Sequence, residues 1–322
     1  MEESAVASLA RTSAGIGIAR VAVLIPCHNE EATVAAVVTQ FRKILPNAEI
    51  WVFDNDSTDQ TADKARQAGA KVRHVVQRGK GTVVQRMFAD VTADVYVMVD
   101  GDDTYDPSIA PMAIERLVTD GLDLVNVARL YADEAVTRPS HLAGNRLIQR
   151  AVSRLFGQPV GDLLSGYKIM SRRFAKSFPS LSTGFEIETE LTVFALELRL
   201  PWAEMSALYK SRPAGSASKL HTLRDGWRIG LTILRLYKHE HPAKLFGSVA
   251  FILVAFALGL GVPVIVHYLY TGMVPRLPTA VLASSLVVLA ALNLAIGIIL
   301  DTVTRGRQEQ RRMNYLNHDV TA

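Results

Sequence analysis

The chain has 322 residues, which is enough for one large α/β domain and an additional segment. Its hydrophobic fraction of 49% and its mean hydropathy of +0.18 are high for a water-soluble protein, and its net charge is +4. One cysteine, Cys27, excludes an internal disulfide. The basic residues concentrate around the apolar segments, which indicates anionic lipid headgroups rather than nucleic acid as a partner.

Short apolar strands alternate with helices through the first 130 residues. The apolar runs predict strands at residues 21–25, 50–53, 71–76, 95–99 and 122–127. Apolar residues at helical spacing predict helices between them, at residues 34–45, 58–68, 81–91 and 109–118. This alternation predicts an α/β fold with a mostly parallel, doubly wound sheet, in which ligands bind beyond the carboxyl ends of the strands.

Polar groups follow the first four predicted strands. They are His28 and Glu30 after the first, Asp54 after the second, Lys80 after the third, and Asp100 and Asp102 after the fourth. Because the carboxyl ends of parallel strands lie at one edge of a sheet, these groups are expected to converge on one crevice. Each alone could be a solvated turn or a helix cap, so the prediction depends on their convergence.

The acidic turn after the fourth strand has the chemistry of a cation site. Asp100 and Asp102 offer hard oxygen ligands for Mg²⁺ or Mn²⁺, and such ions complete their shell with water and substrate phosphates. Lys80, between two glycines at a predicted helix start, adds charge and free amides for the same phosphates. With Asp54 as an acceptor for a base or ribose, these groups together predict a site for a nucleoside diphosphate.

Phosphate-loop and G-x-G-x-x-G motifs are absent from the sequence, which disfavours an ATPase or a dinucleotide enzyme.

Six stretches carry a resemblance to a known family, in the same order along the chain. They are residues 25–30 (IPCHNE), 54–61 (DNDSTDQT), 79–81 (GKG), 100–102 (DGD), 162–168 (DLLSGYK) and 212–220 (RPAGSASKL). The first four are similar to motifs of family 2 glycosyltransferases with the GT-A fold. The last two are similar to stretches of dolichol-phosphate mannose synthases. With the apolar hairpin described below, the chain resembles bacterial polyprenyl-phosphate glycosyltransferases.

The resemblance implies an inverting glycosyltransferase that moves a sugar from a nucleotide-sugar, taken as a UDP-sugar, to a polyprenyl phosphate. It implies catalytic roles for Asp102, Asp162, Arg212 and Lys219, and donor-binding roles for Pro26, His28, Glu30, Asp54, Lys80, Asp100 and Gly101. Asp100 and Asp102 would bind the Mg²⁺ or Mn²⁺. Two departures from the family pattern stand out. Asp103-Thr104 replaces Leu-Gln, which leaves the third metal ligand open, and Asn55-Asp56 replaces Asp-Gly.

A lipid phosphate acceptor requires a cationic receptor, which Arg212 and Lys219 would provide. Arg129, Arg138 and Arg146 are further candidates. The second pKa of a phosphate monoester is about 6, so the attacking oxygen is already anionic near neutral pH and needs no strong general base.

Asp162 and three glutamates between residues 186 and 190 each have two possible roles. Asp162 would either orient the acceptor or serve its own loop structurally. Glu186, Glu188 and Glu190 either share one face of a strand and reach the donor or acceptor, or begin a solvated helix.

Two uncharged runs, residues 245–270 and 277–300, predict a pair of transmembrane helices, because about 20 apolar residues span a bilayer. Basic residues flank the pair: Arg224, Arg228, Arg235, Lys238 and Lys244 before it, and Arg305, Arg307, Arg311 and Arg312 after it. The link contains only Arg276, so the positive-inside rule predicts an inner-membrane protein with both termini and the catalytic domain in the cytoplasm. Leu223, Trp227, Leu231 and Leu234 predict an amphipathic helix in the membrane surface.

The predicted organisation has five parts. They are a flexible N-terminus at 1–18, the GT-A domain at 19–220, a juxtamembrane helix at 221–243, two transmembrane helices at 244–303 and a cytoplasmic tail at 304–322. Gly259, Gly261, Ala290 and Ala291 would allow hairpins of two chains to pack into a homo-oligomer. Two alternatives stay open. One is a transferase of the same fold acting on a glycolipid or protein hydroxyl, which needs a clear general base, and the other is a non-catalytic membrane scaffold.

Overall fold

The computed structural model describes residues 20–131, 149–150, 152–154, 156–179, 187–210, 238 and 241–318. Within these residues, seven strands form one mixed sheet in the order β3-β2-β1-β4-β6-β5-β7. The strands are β1 (Val21–Cys27), β2 (Glu49–Asp54), β3 (Lys71–His74), β4 (Val95–Met98), β5 (Leu124–Tyr131), β6 (Lys168–Ser171) and β7 (Trp202–Tyr209). Strand β6 runs antiparallel to β4 and β5, and the other neighbouring pairs are parallel. The predicted mostly parallel α/β sheet is confirmed.

Helices cover both faces of this sheet. They are α1 (Val34–Ile44), α2 (Thr61–Gln67), α3 (Lys80–Asp90), α4 (Ala110–Thr119), α5 (Arg172–Ser177) and α6 (Ile187–Glu197). Phe41 on α1 and Leu117 on α4 belong to the core on one face, whereas Met87 on α3 and Phe194 on α6 belong to the core on the other. Because both faces are covered, the central strands bury side chains in both directions, which explains their continuous apolar sequences.

Strand β3 ends at His74, two residues before its predicted end. Asn55 donates its side-chain amide to the backbone carbonyl groups of Val75 at 3.0 Å and Gln77 at 2.8 Å. The chain therefore leaves the sheet here, and the Val76 side chain is 72% exposed. The prediction of a strand at residues 75 and 76 is wrong because the side chain of Asn55, which directly follows β2, binds the carbonyl groups of Val75 and Gln77.

The chain divides into two compact units, one formed by Met1–Asp225 with Arg311–Ala322 and the other by Gly226–Gln310. Two long helices, α7 (Pro242–Thr271) and α8 (Leu277–Leu316), account for most of the described residues of the second unit. Both are long and apolar enough to cross a membrane. In the most apolar 18-residue stretch of each helix, only 11% is buried in α7 and 17% in α8. A core helix of a soluble protein is mostly buried. The prediction of two candidate membrane spans is confirmed.

Small residues at seven-residue intervals line the contact between α7 and α8. The buried ones are Ala250 and Ala257 on α7, and Ala283, Ala290, Gly297 and Thr304 on α8. This interval is typical of helices that cross with a left-handed twist. A Cβ at Gly297 would lie 2.9 Å from the Cβ of Phe246, so glycine allows the close approach. Gly261 lies in this contact, since a Cβ built there would be 3.5 Å from the Cβ of Ala283, and Ala290 is buried within one chain; the packing of two chains through these residues stays a prediction.

The last turns of α8 belong to the first unit. The Tyr315 hydroxyl donates to Asp123 Oδ2 at 2.7 Å, and Arg311 pairs with Glu197. Arg173 Cζ lies 4.9 Å from the centre of the Tyr315 ring. Residues 304–316 of the predicted tail are the end of helix α8. From Arg311 onward they belong to the first unit, which is the globular unit. The predicted segment 1–18 and most of the predicted helix 221–243 lie outside the described residues.

Candidate active site

The carboxyl ends of β1, β2 and β4 meet at one edge of the sheet, as predicted. His28 Nδ1 donates to the backbone carbonyl of Asn55 at 2.8 Å, and the Glu30 N–H donates to Thr61 Oγ1 at 2.8 Å. Thr33 Oγ1 donates to the carbonyl of Gly101 at 2.7 Å, which joins the start of α1 to the acidic turn. The structure therefore brings the predicted donor-binding residues together at this edge of the sheet: Pro26, His28, Glu30, Asp54, Lys80, Asp100 and Gly101.

Asp54, the last residue of β2, is buried with one oxygen unsatisfied. His74 Nδ1 donates to Asp54 Oδ2 at 3.1 Å, whereas Asp54 Oδ1 has no hydrogen-bond partner among the described residues. Because buried carboxylate oxygens are normally hydrogen-bonded, Oδ1 is a candidate acceptor for a ligand N–H or O–H group.

Asn55 and Asp56, which depart from the family pattern, shape the loop at residues 75–79. In addition to its two donated bonds in this loop, Asn55 accepts through Oδ1 from the Gly79 N–H at 2.8 Å. An ionised aspartate could not donate the first two bonds. Asp56 has a φ of 56°, a left-handed conformation that aspartate tolerates better than most residues. Both substitutions therefore fit the local backbone.

Lys80 begins α3 and pairs with two carboxylates, those of Asp100 and Glu188. The turn before it requires glycine, because Gly79 has a φ of 124°. Burial lowers the pKa of Lys80, but the charges of Asp100 and Glu188 outweigh burial and raise this pKa above its ordinary value. Lys80 is therefore a protonated side chain at a helix start, which suits the binding of phosphate oxygens.

The acidic turn is held in a defined conformation by its neighbours. Asp102 is buried, and its Oδ1 accepts from the backbone N–H of Thr104 at 3.3 Å and from the Thr104 hydroxyl at 2.6 Å. Asp103 has a φ of 55°, and its Oδ1 accepts from Gln40 Nε2 on α1 at 3.1 Å. Asp103 and Thr104 are thus engaged in the protein's own hydrogen bonds, which explains the departure from the family pattern at these positions.

The donor set of this turn fits a hard divalent cation. Among the described residues, no group of three or more His, Cys, Asp or Glu side chains is arranged to hold a metal by itself. Asp100 and Asp102 offer carboxylate oxygens, which suit Mg²⁺ or Mn²⁺ when phosphate and water supply the other ligands. The positive charge of Lys80 balances the negative charge of the Asp100 carboxylate.

The acidic turn lies directly against the stretch 162–168. A Cβ at Gly166 would lie 2.2 Å from Asp100 Oδ2, and the Gly166 N–H donates to the Tyr105 hydroxyl at 2.8 Å. The sheet explains this proximity, because β4 precedes the turn and pairs with β6, with Met98 opposite Lys168. The two groups of motifs therefore share one site.

Asp162 binds an arginine. Its Oδ2 accepts from the backbone N–H of Arg129 at 3.2 Å and from Arg129 Nε at 2.7 Å. Its Oδ1 accepts from Arg129 Nη2 at 2.9 Å and from the Leu164 N–H at 3.1 Å. Arg129 Cζ lies 5.5 Å from the centre of the Tyr209 ring. Asp162 therefore fixes the orientation of the Arg129 guanidinium on β5.

Four polar residues to which the sequence patterns assigned no role support this loop: Asn126, Lys168, Thr192 and Glu204. Lys168 Nζ donates to Asn126 Oδ1 at 2.6 Å and to Thr192 Oγ1 at 2.8 Å. Asn126 Nδ2 donates to the carbonyl of Asp162 at 2.8 Å, and Glu204 Oε2 accepts from the Asp162 N–H at 3.1 Å. Lys168 is fully buried, and burial lowers its pKa to about 8. A lysine within a short apolar strand was the signal that could have indicated it.

Glu188 was left as a candidate without an assigned role, and the structure places it in the site. It lies in the first turn of α6, so Glu188 and Glu190 are on a helix and the strand alternative is wrong, but this helix is largely buried rather than solvated. Burial raises the pKa of Glu188 above its ordinary value. Glu186, Arg138, Arg146, Arg212 and Lys219 lie outside the described residues.

Comparison with known proteins agrees with this geometry. A family model described as Glycosyl transferase family 2 matches residues 22–178. Glycosyltransferase AglJ of Haloferax volcanii is 33% identical over 296 residues, covering 91% of this chain and 96% of that protein. Dolichyl-phosphate hexose transferase of the same organism is 28% identical over 220 residues, covering 68% and 94%.

A solved structure has the same fold. It is the crystal structure of glucosyl-3-phosphoglycerate synthase from Mycobacterium tuberculosis in complex with Mn²⁺, uridine diphosphate and phosphoglyceric acid. It matches with a TM-score of 0.53 and 26% identity, over 64% of this chain and 75% of that chain. The family model spans β1 to α5 with the acidic turn, and the likeness to AglJ extends over nearly the whole chain. The chain therefore belongs to glycosyl transferase family 2.

Proposed function

We propose that this chain transfers a sugar, with inversion, from a nucleotide-sugar donor to a polyprenyl phosphate at the cytoplasmic face of a membrane. The observation that carries the proposal is the Arg129 guanidinium, which Asp162 holds by a bidentate contact within the site that contains the acidic turn. An arginine fixed in this way is suited to bind a phosphate through two parallel hydrogen bonds.

The donor half of the site suits a nucleoside diphosphate. Asp54 Oδ1 is a buried acceptor for the base or ribose, and Lys80 is a protonated partner for the diphosphate. Asp100 and Asp102 would hold Mg²⁺ or Mn²⁺, which when bound neutralises charge that develops on the diphosphate. The related synthase structure contains Mn²⁺ and uridine diphosphate, which supports a UDP-sugar as the donor.

The acceptor half suits a phosphate better than a hydroxyl group. A phosphate monoester is anionic near neutral pH, because its second pKa is about 6, so it can attack without losing a proton to the protein. A hydroxyl acceptor would need a general base. Asp162, the carboxylate on this side of the site, already accepts hydrogen bonds from Arg129 and from the Leu164 N–H. Its contacts are therefore those of a positioning residue. Arg212 and Lys219 stay proposed as further phosphate contacts.

The proposed step is a single in-line displacement. An oxygen of the lipid phosphate forms a bond to the anomeric carbon, while the bond from that carbon to the diphosphate oxygen breaks. The electron pair of the broken bond leaves with the nucleoside diphosphate, and the configuration at the anomeric carbon inverts. Lys80 compensates the growing charge on the leaving group.

The membrane placement rests on the two candidate spans and the basic residues around them. Because Arg305, Arg307, Arg311 and Arg312 follow the second span, the proposal places both termini and the globular unit on the cytoplasmic side. A relative named dolichyl-phosphate hexose transferase supports a lipid phosphate as acceptor.

The proposal is tested by product analysis. The full chain in detergent is incubated with polyprenyl phosphate, Mg²⁺ or Mn²⁺, and a panel of UDP- and GDP-sugars, and mass spectrometry detects glycosylated lipid phosphate. We expect a product from polyprenyl phosphate and none from the polyprenol that lacks the phosphate. Asp102→Asn should abolish it, and Asp103→Asn, a matched change outside the proposed metal ligands, should retain it. A product from the polyprenol would contradict the phosphate acceptor.

A further inference from the structure

We propose that Glu188 accepts a hydrogen bond from a hydroxyl group of the transferred sugar and thereby determines which donor the protein selects. This inference rests on the proposed function, because it requires a nucleotide-sugar in the crevice.

The first argument is an unsatisfied oxygen. Glu188 is 5% exposed, and its Oε1 pairs with Lys80. Its Oε2 is buried and has no hydrogen-bond partner within the described part of the chain. Most buried side-chain acceptors in proteins have a partner, so an exception beside a ligand site indicates a group that the ligand satisfies.

The second argument is position. On one side, Glu188 shares Lys80 with Asp100, the proposed metal ligand. On the other, its backbone carbonyl accepts from Thr192 Oγ1 at 3.3 Å, and Thr192 accepts from Lys168 at 2.8 Å. Lys168 in turn supports the loop of the proposed acceptor site. A sugar in transfer must lie between the diphosphate and the acceptor phosphate, and these contacts join Glu188 to residues of both halves.

The third argument is chemistry. An ionised carboxylate only accepts hydrogen bonds, and each free hydroxyl group of a sugar can donate one. A hydrogen bond to a charged acceptor is stronger than one between neutral groups, and Lys80 keeps Glu188 in place. A donor that lacks the matching hydroxyl would leave Oε2 unpartnered and would therefore bind less tightly.

The test separates nucleotide binding from sugar binding. Calorimetry with Mn²⁺ measures the affinity of the full chain for UDP, GDP, UDP-glucose, UDP-galactose, UDP-N-acetylglucosamine and GDP-mannose. We expect at least one donor to bind wild type more tightly than its bare nucleotide. In Glu188→Gln, which retains an oxygen for Lys80, this gain should fall by about 10-fold or more, with nucleotide affinity changed less than about 3-fold.

Two controls keep the outcomes distinct. Glu190→Gln, a matched change in the same helical turn, should leave both affinities unchanged. Deoxy analogues of the selected donor, measured on wild type, should identify one hydroxyl whose loss costs about 10-fold, and Glu188→Gln should be indifferent to that loss. These analogues also test the inference should Glu188→Gln fail to fold.

Three results would overturn the inference. If the sugar-dependent gain survives in Glu188→Gln, or if the substitution weakens bare nucleotides equally, then Glu188 serves Lys80 alone. If nucleotides bind but no sugar adds affinity in wild type, the site does not recognise the sugar in this way. If no nucleotide binds wild type at all, the proposed function fails together with the inference.

Discussion

Replacing Gly166 with alanine perturbs the proposed metal site without replacing any charged residue. The added methyl group would lie 2.2 Å from Asp100 Oδ2, 2.6 Å from its Cγ and 2.8 Å from its Oδ1. To reach ordinary contact the carboxylate has to retreat by about 1 Å. Asp100 is 25% exposed on its side chain, so it can move away while the backbone of the turn stays in place.

The expected cost follows from this displacement. A misplacement of about 1 Å in a catalytic site can reduce the rate about 100-fold, which corresponds to about 2.7 kcal/mol in transition-state stabilisation. We therefore expect kcat/KM for lipid glycosylation to fall about 100-fold in Gly166→Ala. Mn²⁺-dependent nucleotide affinity, measured by calorimetry, should fall as well because Asp100 is a proposed ligand.

Gly306→Ala is the matched control. Among the described residues, no atom outside its own helix lies within 4 Å of a Cβ built at Gly306, and this position lies inside α8. The control should keep wild-type activity and gain up to about 1 kcal/mol of helix stability. If Gly166→Ala folds and binds nucleotide and Mn²⁺ as wild type does, then Asp100 does not serve the site in the position described.

Three further predictions concern the acceptor and the scaffold. Arg129→Lys should raise the KM for polyprenyl phosphate about 10-fold or more with unchanged nucleotide affinity, because lysine cannot form the bidentate contact. Between pH 8 and 10.5 the unfolded chain retains the Lys168 proton that the folded protein has released. The free energy of unfolding should therefore rise with pH by about 3 kcal/mol relative to Lys168→Met, as measured by urea denaturation; equal slopes would contradict this. Arg311→Met should lower the free energy of unfolding by about 1–3 kcal/mol because it leaves the buried Glu197 unpaired, whereas exposed Arg312→Met should not.

The parallel part of the fold was predictable because burial on both sides produces a distinctive sequence. β1 and β4 are continuous apolar runs, and each is followed by the polar groups of the crevice. β6 and β7 were not predicted. β6 has only four residues and begins with the charged Lys168, and β7 contains Glu204. Both residues bind Asn126 on the neighbouring strand β5, a partner that local sequence patterns do not show.

Part of the candidate site was likewise predictable from the sequence, and part was not. Asp100 and Asp102 stand two residues apart, so their shared chemistry could be read from the sequence. The pairing of Lys80 with Glu188 joins residues 108 positions apart, and the pairing of Arg129 with Asp162 joins residues 33 positions apart. Such pairs depend on the sheet order, in which β6 inserts antiparallel between β4 and β5. The role of Asp162 could not be assigned without that order.

The central claim is that an oxygen of a lipid phosphate displaces a nucleoside diphosphate from a sugar in this crevice. The most direct test is to identify the nucleotide released when the full chain is given its preferred nucleotide-sugar, Mn²⁺ and polyprenyl phosphate. We predict nucleoside diphosphate in a one-to-one ratio with glycosylated lipid phosphate, with its release dependent on the lipid phosphate. Release of nucleoside monophosphate, or diphosphate release that ignores the lipid phosphate, would contradict the claim.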